Sequence, residues 1–283
     1  KELMKKKRRI VILGAGGFIS TAIENELESD FEIIPILRKS INLLYLGSVQ
    51  NLSKFLKKND TIIFVASKAP VKNNKTLIEN INMASNFIKF YSNHIFKQFI
   101  YLSSDAVYED KKILSEKSRV IPGSLHGLMH ILRENLFSNF LNIPLTIVRP
   151  TLVYGESDPH NSYGPNSFFR KIKYGKKITL FGRGEEKRDH VYVGDVAKAI
   201  GILIKKNKTG IFNIASGKVC SFSDIAKKIL KISNKNNYKF KLIKRKGPMP
   251  HLGYRSFNIK KLKKLNFSPS HFEEIAQSIF YKY

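Results

Sequence analysis

Cysteine is almost absent from this chain. Cys220 is the only one in 283 residues, so no disulfide can form within the chain and no zinc site can be built on cysteines. Such usage is expected of a reducing compartment, and the cytoplasm is the expected location. Long apolar runs are missing too. No stretch approaches the ~18 apolar residues that a membrane span needs, so no membrane partner is expected. Acidic residues are few: 22 Asp and Glu stand against 50 Lys and Arg, a formal net charge of +28. That excess points either to a phosphate-bearing partner or to a lysine-rich solvated surface. The lysines are spread along the chain and no nucleic-acid-binding module accompanies them. The charge is therefore read as surface, and nucleic acid is not expected as a partner. Internal repeats are absent, as is any linker long and polar enough to separate independent domains.

The apolar content, 42%, is enough for a sizeable core. The basic run Lys5-Lys6-Lys7-Arg8-Arg9 leads directly into Ile10-Val11-Ile12-Leu13, so it reads as the solvated approach to a first strand rather than a targeting tag. The run 10–13 has the continuous apolar character of a strand buried on both faces. Further strands are expected at 31–37, 61–65, 99–102 and 145–148, and helices at 18–27, 52–57, 75–91 and 125–141. After Pro150 the pattern changes. Gly, Pro, Asn and Ser cluster over 154–167, which reads as loop. A helix at 194–205 and a strand at 211–214 follow, and the tail from Ser221 is read as holding short helices around 239–243. Alternating strands and helices imply right-handed crossovers and a parallel sheet covered on both sides. The expected fold is α/β, a Rossmann-type doubly wound parallel sheet with a smaller C-terminal substrate-binding lobe. We expect one unit over 1–283, with a core of about 1–150 plus parts of 176–215 and a lobe of about 151–175 and 216–283.

Gly14-Ala15-Gly16-Gly17-Phe18-Ile19-Ser20 follows the first strand and opens the first helix. Glycine there lets the backbone turn sharply and approach a pyrophosphate at the positive helix N-terminus. Gly14, Gly16, Gly17, Phe18 and Ile19 are thus candidate dinucleotide contacts. Ser20 stands where a third glycine is usual, and a residue this small still permits close packing of helix on strand. The second strand ends in Arg38-Lys39 with no adjacent acid, which suits the 2′-phosphate of NADP better than the free ribose of NAD. NADP is the expected cofactor, with NAD possible.

Several ordered motifs then carry a resemblance. Besides the glycine loop there is Ile62-Ile63-Phe64-Val65-Ala66-Ser67, then Ser103-Ser104-Asp105-Ala106-Val107-Tyr108, then Val148-Arg149-Pro150 with Val153-Tyr154-Gly155. The longest stretch is Phe181-Gly182-Arg183-Gly184 running to Arg188-Asp189-His190-Val191-Tyr192-Val193-Gly194-Asp195-Val196-Ala197, with Phe212-Asn213-Ile214-Ala215-Ser216-Gly217 after it. In this the chain resembles the extended short-chain dehydrogenase/reductases, the nucleotide-sugar epimerase/dehydratase/reductase family, over nearly its whole length. The resemblance adds Ala66 and Ser67 to the expected cofactor contacts. It implies a Ser/Thr, Tyr and Lys machinery. The phenol exchanges a proton with a sugar hydroxyl while hydride moves to or from the nicotinamide, the Lys holds the ribose, and the Ser/Thr positions the reacting oxygen. Ser104 is that hydroxyl by resemblance.

The Tyr-x-x-x-Lys pair is replaced. The segment Pro122-Gly123-Ser124-Leu125-His126-Gly127-Leu128-Met129-His130-Ile131-Leu132-Arg133-Glu134 keeps the frame at Pro122, Ser124, Gly127 and Glu134, but sets His126 and His130 at the two catalytic positions, one helical turn apart. Three readings compete. His126 acts as general acid/base, since its reference pKa of ~6.5 suits neutral pH better than a phenol at ~10, with His130 donating to the ribose. Or the fold binds its ligands without turnover, as a non-catalytic NAD(P)- or sugar-nucleotide-binding protein. Or the pair holds a metal, which needs a further ligand that no neighbouring motif supplies. The first is the expectation, with no metal. The acidic pair of the dehydratase members is Asp105-Ala106 here, which disfavours a 4,6-dehydratase and leaves Asp105 as an acid or a substrate contact. By resemblance Arg188 reaches a diphosphate, Arg255 makes a phosphate or ribose contact, and Asn166 with 160–165 lines the sugar side. Arg183 and Lys187 read as surface. The expected activity is NAD(P)-dependent epimerisation or oxidoreduction of a nucleotide-diphosphate sugar, with hydride moving at a sugar carbon, C4 by analogy, for glycan precursor synthesis. A homodimer is expected.

Overall fold

The computed structural model describes residues 7–91, 96–159, 163–234 and 240–282. Two compact units emerge. The first comprises Lys1–Glu109, Arg119–Pro150 and Val196–Phe212; the second comprises Asp110–Ser118, Thr151–Asp195 and Asn213–Tyr283.

The first unit is built on a six-stranded sheet in the order Gly210–Ile214, Leu145–Pro150, Gln98–Leu102, Thr61–Phe64, Arg9–Ala15, Glu32–Leu37. The strand Arg9–Ala15 pairs in parallel with Glu32–Leu37 on one side and with Thr61–Phe64 on the other. Strand order reverses at that point, which is where open α/β sheets bind ligands beyond the carboxyl ends of their strands. Ile10 to Leu13 are wholly buried, because parallel strands with helices on both faces need apolar residues at every position. Beneath the sheet, Phe64, Phe87, Phe99 and Phe137 pack into one aromatic cluster with Tyr101. The Phe99 and Phe137 rings are 4.9 Å apart and the Phe64 and Phe137 rings 5.2 Å.

Two polar devices tie this sheet together. At its amino end Arg8 donates to Thr61, Gln98, Asn207 and the Ile204 carbonyl, while Arg9 pairs with Asp60 and Glu32. Lys5 and Lys6 lie outside the described residues, but Arg8 and Arg9 are not the solvated approach the basic run suggests. They close the end of the sheet, and an apolar pattern carries no trace of such partners. Deeper in, Glu134 on the helix Leu125–Phe140 accepts two bonds from Arg149, through Nε at 2.9 Å and through Nη2, and another from Ser103. Arg149 stacks on Tyr108 at 4.8 Å. One buried carboxylate thus binds two strand ends and the helix.

The second unit has a mixed sheet in the order Val219–Ser221, Lys187–Tyr192, Tyr254–Phe257, Ile113–Leu114, with Leu152–Tyr154 also paired to Lys187–Tyr192. Its core packs the helices Pro165–Lys173, Phe222–Ile232 and Phe272–Lys282 through Phe168, Ile172, Ile225, Ile229 and Ile279. Three sequence expectations need correction. The cluster read as loop over 154–167 already enters a helix at Pro165, which sits in the first turn where its missing N–H costs nothing. Lys241–Ile243 is a strand paired in parallel with Thr179–Phe181, not a short helix; Lys239 lies outside the described residues. In the first unit, the helix expected at 52–57 lies earlier, as Leu46–Gln50 followed by a tight turn over Asn51–Lys54. Two acids of the long motif have fold roles. Asp189 accepts from the Ser216 N–H and hydroxyl and from the Gly217 N–H, and Asp195 accepts from the Ser270 N–H and hydroxyl.

Replacing Arg149 by Met should strand the Glu134 carboxylate in the interior. We expect a loss of about 3–5 kcal/mol in stability, read by urea denaturation. A loss below ~1 kcal/mol would mean that this pair does not hold the first unit together.

Candidate functional site

The glycine loop forms a cradle. Gly14 and Gly16 have φ of +95° and +84°, where side chains are strained. A Cβ on Gly14 would lie 2.5 Å from the backbone of Ala66, and one on Gly16 would lie 2.9 Å from Leu37. Gly17 ends the turn in extended conformation and opens the helix Phe18–Leu27. Ser20 is wholly buried. Its hydroxyl accepts from the Gly17 N–H at 2.8 Å and donates to the Gly17 carbonyl at 3.0 Å, so it closes the turn instead of obstructing it. Gly16 and Gly17 are exposed, while Phe18 and Ile19 are half-buried. An open backbone cradle at a helix N-terminus, over the switch point of a parallel sheet, fits a dinucleotide pyrophosphate. Ala66 is half-buried and its N–H is committed to the Leu13 carbonyl. Ser67 is exposed and donates to Asn80, while Arg38 and Lys39 are exposed at the end of the second strand.

The helix Leu125–Phe140 begins where Ser124 caps it by accepting from the Gly127 N–H at 3.1 Å. A Cβ on Gly127 would fall 2.0 Å from the Ala106 carbonyl, so the first turn of this helix is pressed onto the turn Asp105–Val107. Ser104 caps that turn, accepting from the Ala106 N–H at 3.2 Å, with its hydroxyl 3.5 Å from the Asp105 carboxylate. Every retained residue of the frame whose contacts are described has such a fold role: Ser124 as cap, Gly127 as contact, Glu134 as ion-pair partner. The frame fixes where the histidines stand; their chemistry depends on their own surroundings.

His126 and His130 stand edge to face with ring centroids 4.7 Å apart. His126 is half-buried, and its Nδ1 is buried without a hydrogen-bond partner among the described residues. Burial lowers its pKa, the nearby Asp105 carboxylate opposes this, and the Arg133 charge adds to it. His130 is buried, with Nδ1 2.7 Å from the Tyr101 hydroxyl. Burial first, then the His126 and Arg133 charges, holds its pKa well below the usual histidine value. Both rings are therefore neutral at pH 7. Among the described residues no cluster of three or more His, Cys, Asp or Glu is placed to hold a metal.

Behind the pair stand residues that no motif singles out. Arg133 donates to the carbonyls of Asn80 at 2.8 Å and Ala66 at 2.9 Å. Asn80, wholly buried, bonds the backbone of Lys68 in both directions. The segment after the third strand is thus pinned to the helix that carries the histidines.

In the second unit Arg188 and Arg255 are direct neighbours on paired parallel strands. Arg188 lies 3.2 Å from one oxygen of the buried Glu186, and Arg245 lies 3.2 Å from the other. Arg255 is nearly inaccessible and contacts His251 at 3.2 Å; His251 in turn meets Asp110 at 2.7 Å. Two guanidiniums thus flank one glutamate, with Arg255 on the strand beside Arg188, an arrangement that suits a dianion. Arg245 escapes sequence reasoning, where it reads as one more surface cation. Asn166 is occupied within its own unit: Oδ1 accepts from the Gly155 N–H and Nδ2 donates to Asp158. Residues 160–162 lie outside the described residues. Arg183 and Lys187 are exposed.

His190 is also in this unit. Its ring is 5.4 Å from that of Phe222, and neither ring nitrogen has a hydrogen-bond partner among the described residues. Burial, aided by the Arg188 charge and opposed by the Arg188 backbone, pushes its pKa down to about 3. From pH 6.5 down to about 3 the unfolded chain takes up a proton here that the folded chain refuses, so stability falls with pH over that window. His190→Phe should raise stability by about 1–2 kcal/mol at pH 7. It should raise it more at pH 5, as each unit of pH adds up to ~1.4 kcal/mol to the gap. Thermal or urea unfolding at the two pH values measures this; an equal gain at both would contradict the assignment.

Residues 10–215 match the NAD dependent epimerase/dehydratase family. The chain is 27% identical over 272 residues to a dTDP-D-glucose 4,6-dehydratase of Dictyostelium discoideum, a match that covers 80% of this chain and 62% of that protein's length. Its fold is that of the UDP-glucose 4-epimerase of Thermus thermophilus, solved in complex with NAD, at a TM-score of 0.82, 19% identity and coverage of 96% and 97% of the two chains. It is likewise that of RMD from Pseudomonas aeruginosa, solved with NADPH, at a TM-score of 0.83, 18% identity and 97% coverage of each chain. The match over 10–215, on a sheet with its glycine cradle at the switch point, establishes that this chain belongs to the NAD-dependent epimerase/dehydratase family.

Proposed function

We propose that the chain is an NAD(P)-dependent enzyme acting on a nucleotide-diphosphate sugar, by epimerisation or oxidoreduction, with His126 as the proton-transferring group. The observation that carries the reading is the cradle at Gly14 and Gly16, with its close backbone approach to Ala66, in the same unit as the edge-to-face histidine pair. Gly14, Gly16 and Gly17, with Phe18 and Ile19, would hold the pyrophosphate, and Ala66 and Ser67 would flank the dinucleotide. The nicotinamide, when bound, supplies or receives hydride at a sugar carbon, with C4 favoured by analogy alone. Arg38 and Lys39 favour NADP over NAD, since neither has an acid beside it. One relative in fold was solved with NAD and the other with NADPH.

Neutral His126 takes the proton of a sugar hydroxyl and returns it in the reverse step. Its unpartnered Nδ1 leaves the ring free of competing internal bonds, and the Asp105 carboxylate favours the imidazolium formed in passing. Ser104 orients the reacting oxygen, and His130 donates to the ribose. In the second unit Arg188 and Arg245 hold the diphosphate and Arg255 lends charge from beneath. Asn166 acts as a brace of the segment Gly155 to Asp158, so its part in sugar recognition is indirect.

We propose a homodimer as well. The helices Asn74–Tyr91 and Leu125–Phe140 present Ile78, Ile81, Leu132, Leu136 and Phe140 on one face, three of them exposed, which is costly for a lone molecule. A single cysteine fits the cytoplasm, and no helix of the described residues is long and apolar enough to cross a membrane.

Incubation of a panel of UDP- and dTDP-sugars with NADP+ or NAD+, or of their 4-keto forms with NADPH or NADH, should give turnover seen in cofactor absorbance or in product sugars, with the NADP couple preferred. His126→Phe should lower the rate about 10²–10⁴-fold. The step that uses neutral His126 should hold its rate through neutral pH and lose it only on the acid side, below the ordinary histidine range. Turnover unchanged in the variant sinks the role of His126; absence of sugar-nucleotide binding sinks the substrate class. Light scattering should give twice the chain mass, and Phe140→Glu should give the monomer; a monomer before substitution would reject the dimer.

A further inference from the structure

The function above uses His126 and His130 but leaves unused the most deeply buried titratable group beside them, the Tyr101 phenol. Tyr101 points from the strand Gln98–Leu102 into the core, wholly inaccessible, with its hydroxyl 2.7 Å from His130 Nδ1. Its ring is wedged between Phe64 and Phe137, at centroid distances of 6.2 Å and 5.0 Å, so it has no other position to take. The Arg133 charge favours loss of the phenol proton, but burial outweighs it and keeps the proton in place. Arg133 is itself fixed by the Asn80 and Ala66 carbonyls.

We propose that Tyr101 is a positioning residue that fixes His130 in a single tautomer, with Nδ1 as acceptor and its one proton on Nε2. The geometry allows one direction only. The phenol is wholly buried, and its proton is held in place by that burial. That proton needs an acceptor within a wholly buried site, and His130 Nδ1 at 2.7 Å is the one that the geometry provides. Were the imidazole proton on Nδ1, two donors would face each other and the buried O–H would be left without a partner. The donation from Tyr101 to His130 therefore sets the tautomer, since a tautomer is set by the bond that the other ring nitrogen makes. The consequence is that His130 offers a donor at Nε2 and never an acceptor. The use of that donor on the ribose of the cofactor rests on the function proposed above.

The test is nitrogen-15 NMR of the histidine rings in the free protein, with His130 assigned by its loss in His130→Gln. An unprotonated Nδ1 and a protonated Nε2 are expected; a proton on Nδ1 overturns the inference. In Tyr101→Phe the aromatic packing is kept and only the hydroxyl is lost. The single His130 tautomer should then give way to a mixture, and the dissociation constant for NADPH should rise about five- to tenfold. An unaltered tautomer and an unaltered constant would overturn the positioning role. If the unsubstituted chain binds neither NADPH nor NADH, the proposed function fails, while the ring-nitrogen spectra still decide the inference.

Discussion

The buried bond between Glu134 and Arg149 is the constraint on which the rest of the first unit depends. A carboxylate and a guanidinium in an apolar interior are costly unless each is met by good partners, and here the partners come from three separate elements. Ser103 brings the end of the fourth strand, Arg149 the fifth strand of this sheet in chain order, and Glu134 the helix. Tyr108 covers the guanidinium with its ring. Once these are in place, the helix cannot slide or rotate without exposing an unpaired charge. The position of His126 and His130 relative to the strand that leads into Ser104 follows from it.

This changes the meaning of the intact frame around the missing Tyr and Lys. Ser124, Gly127 and Glu134 each have a fold role, so their presence does not by itself argue for turnover. What argues for chemistry is instead the environment of the replaced positions. Among the described residues His126 has a buried nitrogen without a partner and a carboxylate nearby, and His130 is held by a phenol. A purely structural residue at position 126 would gain nothing from leaving a polar atom buried without a partner.

Much of the fold was legible because its signals are local. The continuous apolar run Ile10 to Leu13, the glycines after it and the helical spacing of 125–141 all state their structure within a few residues. The second unit was harder. Its strands are two to six residues long and carry charges, as in Lys187–Tyr192, so neither alternation nor apolar runs mark them. The helix Pro165–Lys173 opens inside a stretch rich in Gly, Pro, Asn and Ser, and only the proline in its first turn hints at it. For the site, motifs mark some residues and contacts define others, and only the first kind can be read from the chain. Arg133, Asn80, Tyr101 and Arg245 act through partners tens of residues away, such as the 53 residues between Arg133 and Asn80. Asn166 shows the reverse, a motif residue whose amide is already used within its own unit.

The central claim is that a histidine pair in an otherwise ordinary nucleotide-sugar frame supports hydride transfer. The most direct measurement is the fate of deuterium from NADPH labelled at the nicotinamide C4, followed by NMR of the nucleotide sugar after incubation with its 4-keto form. Deuterium bound to the sugar carbon is the predicted result. Cofactor and sugar both bound, with the label remaining on the nicotinamide, would contradict the account.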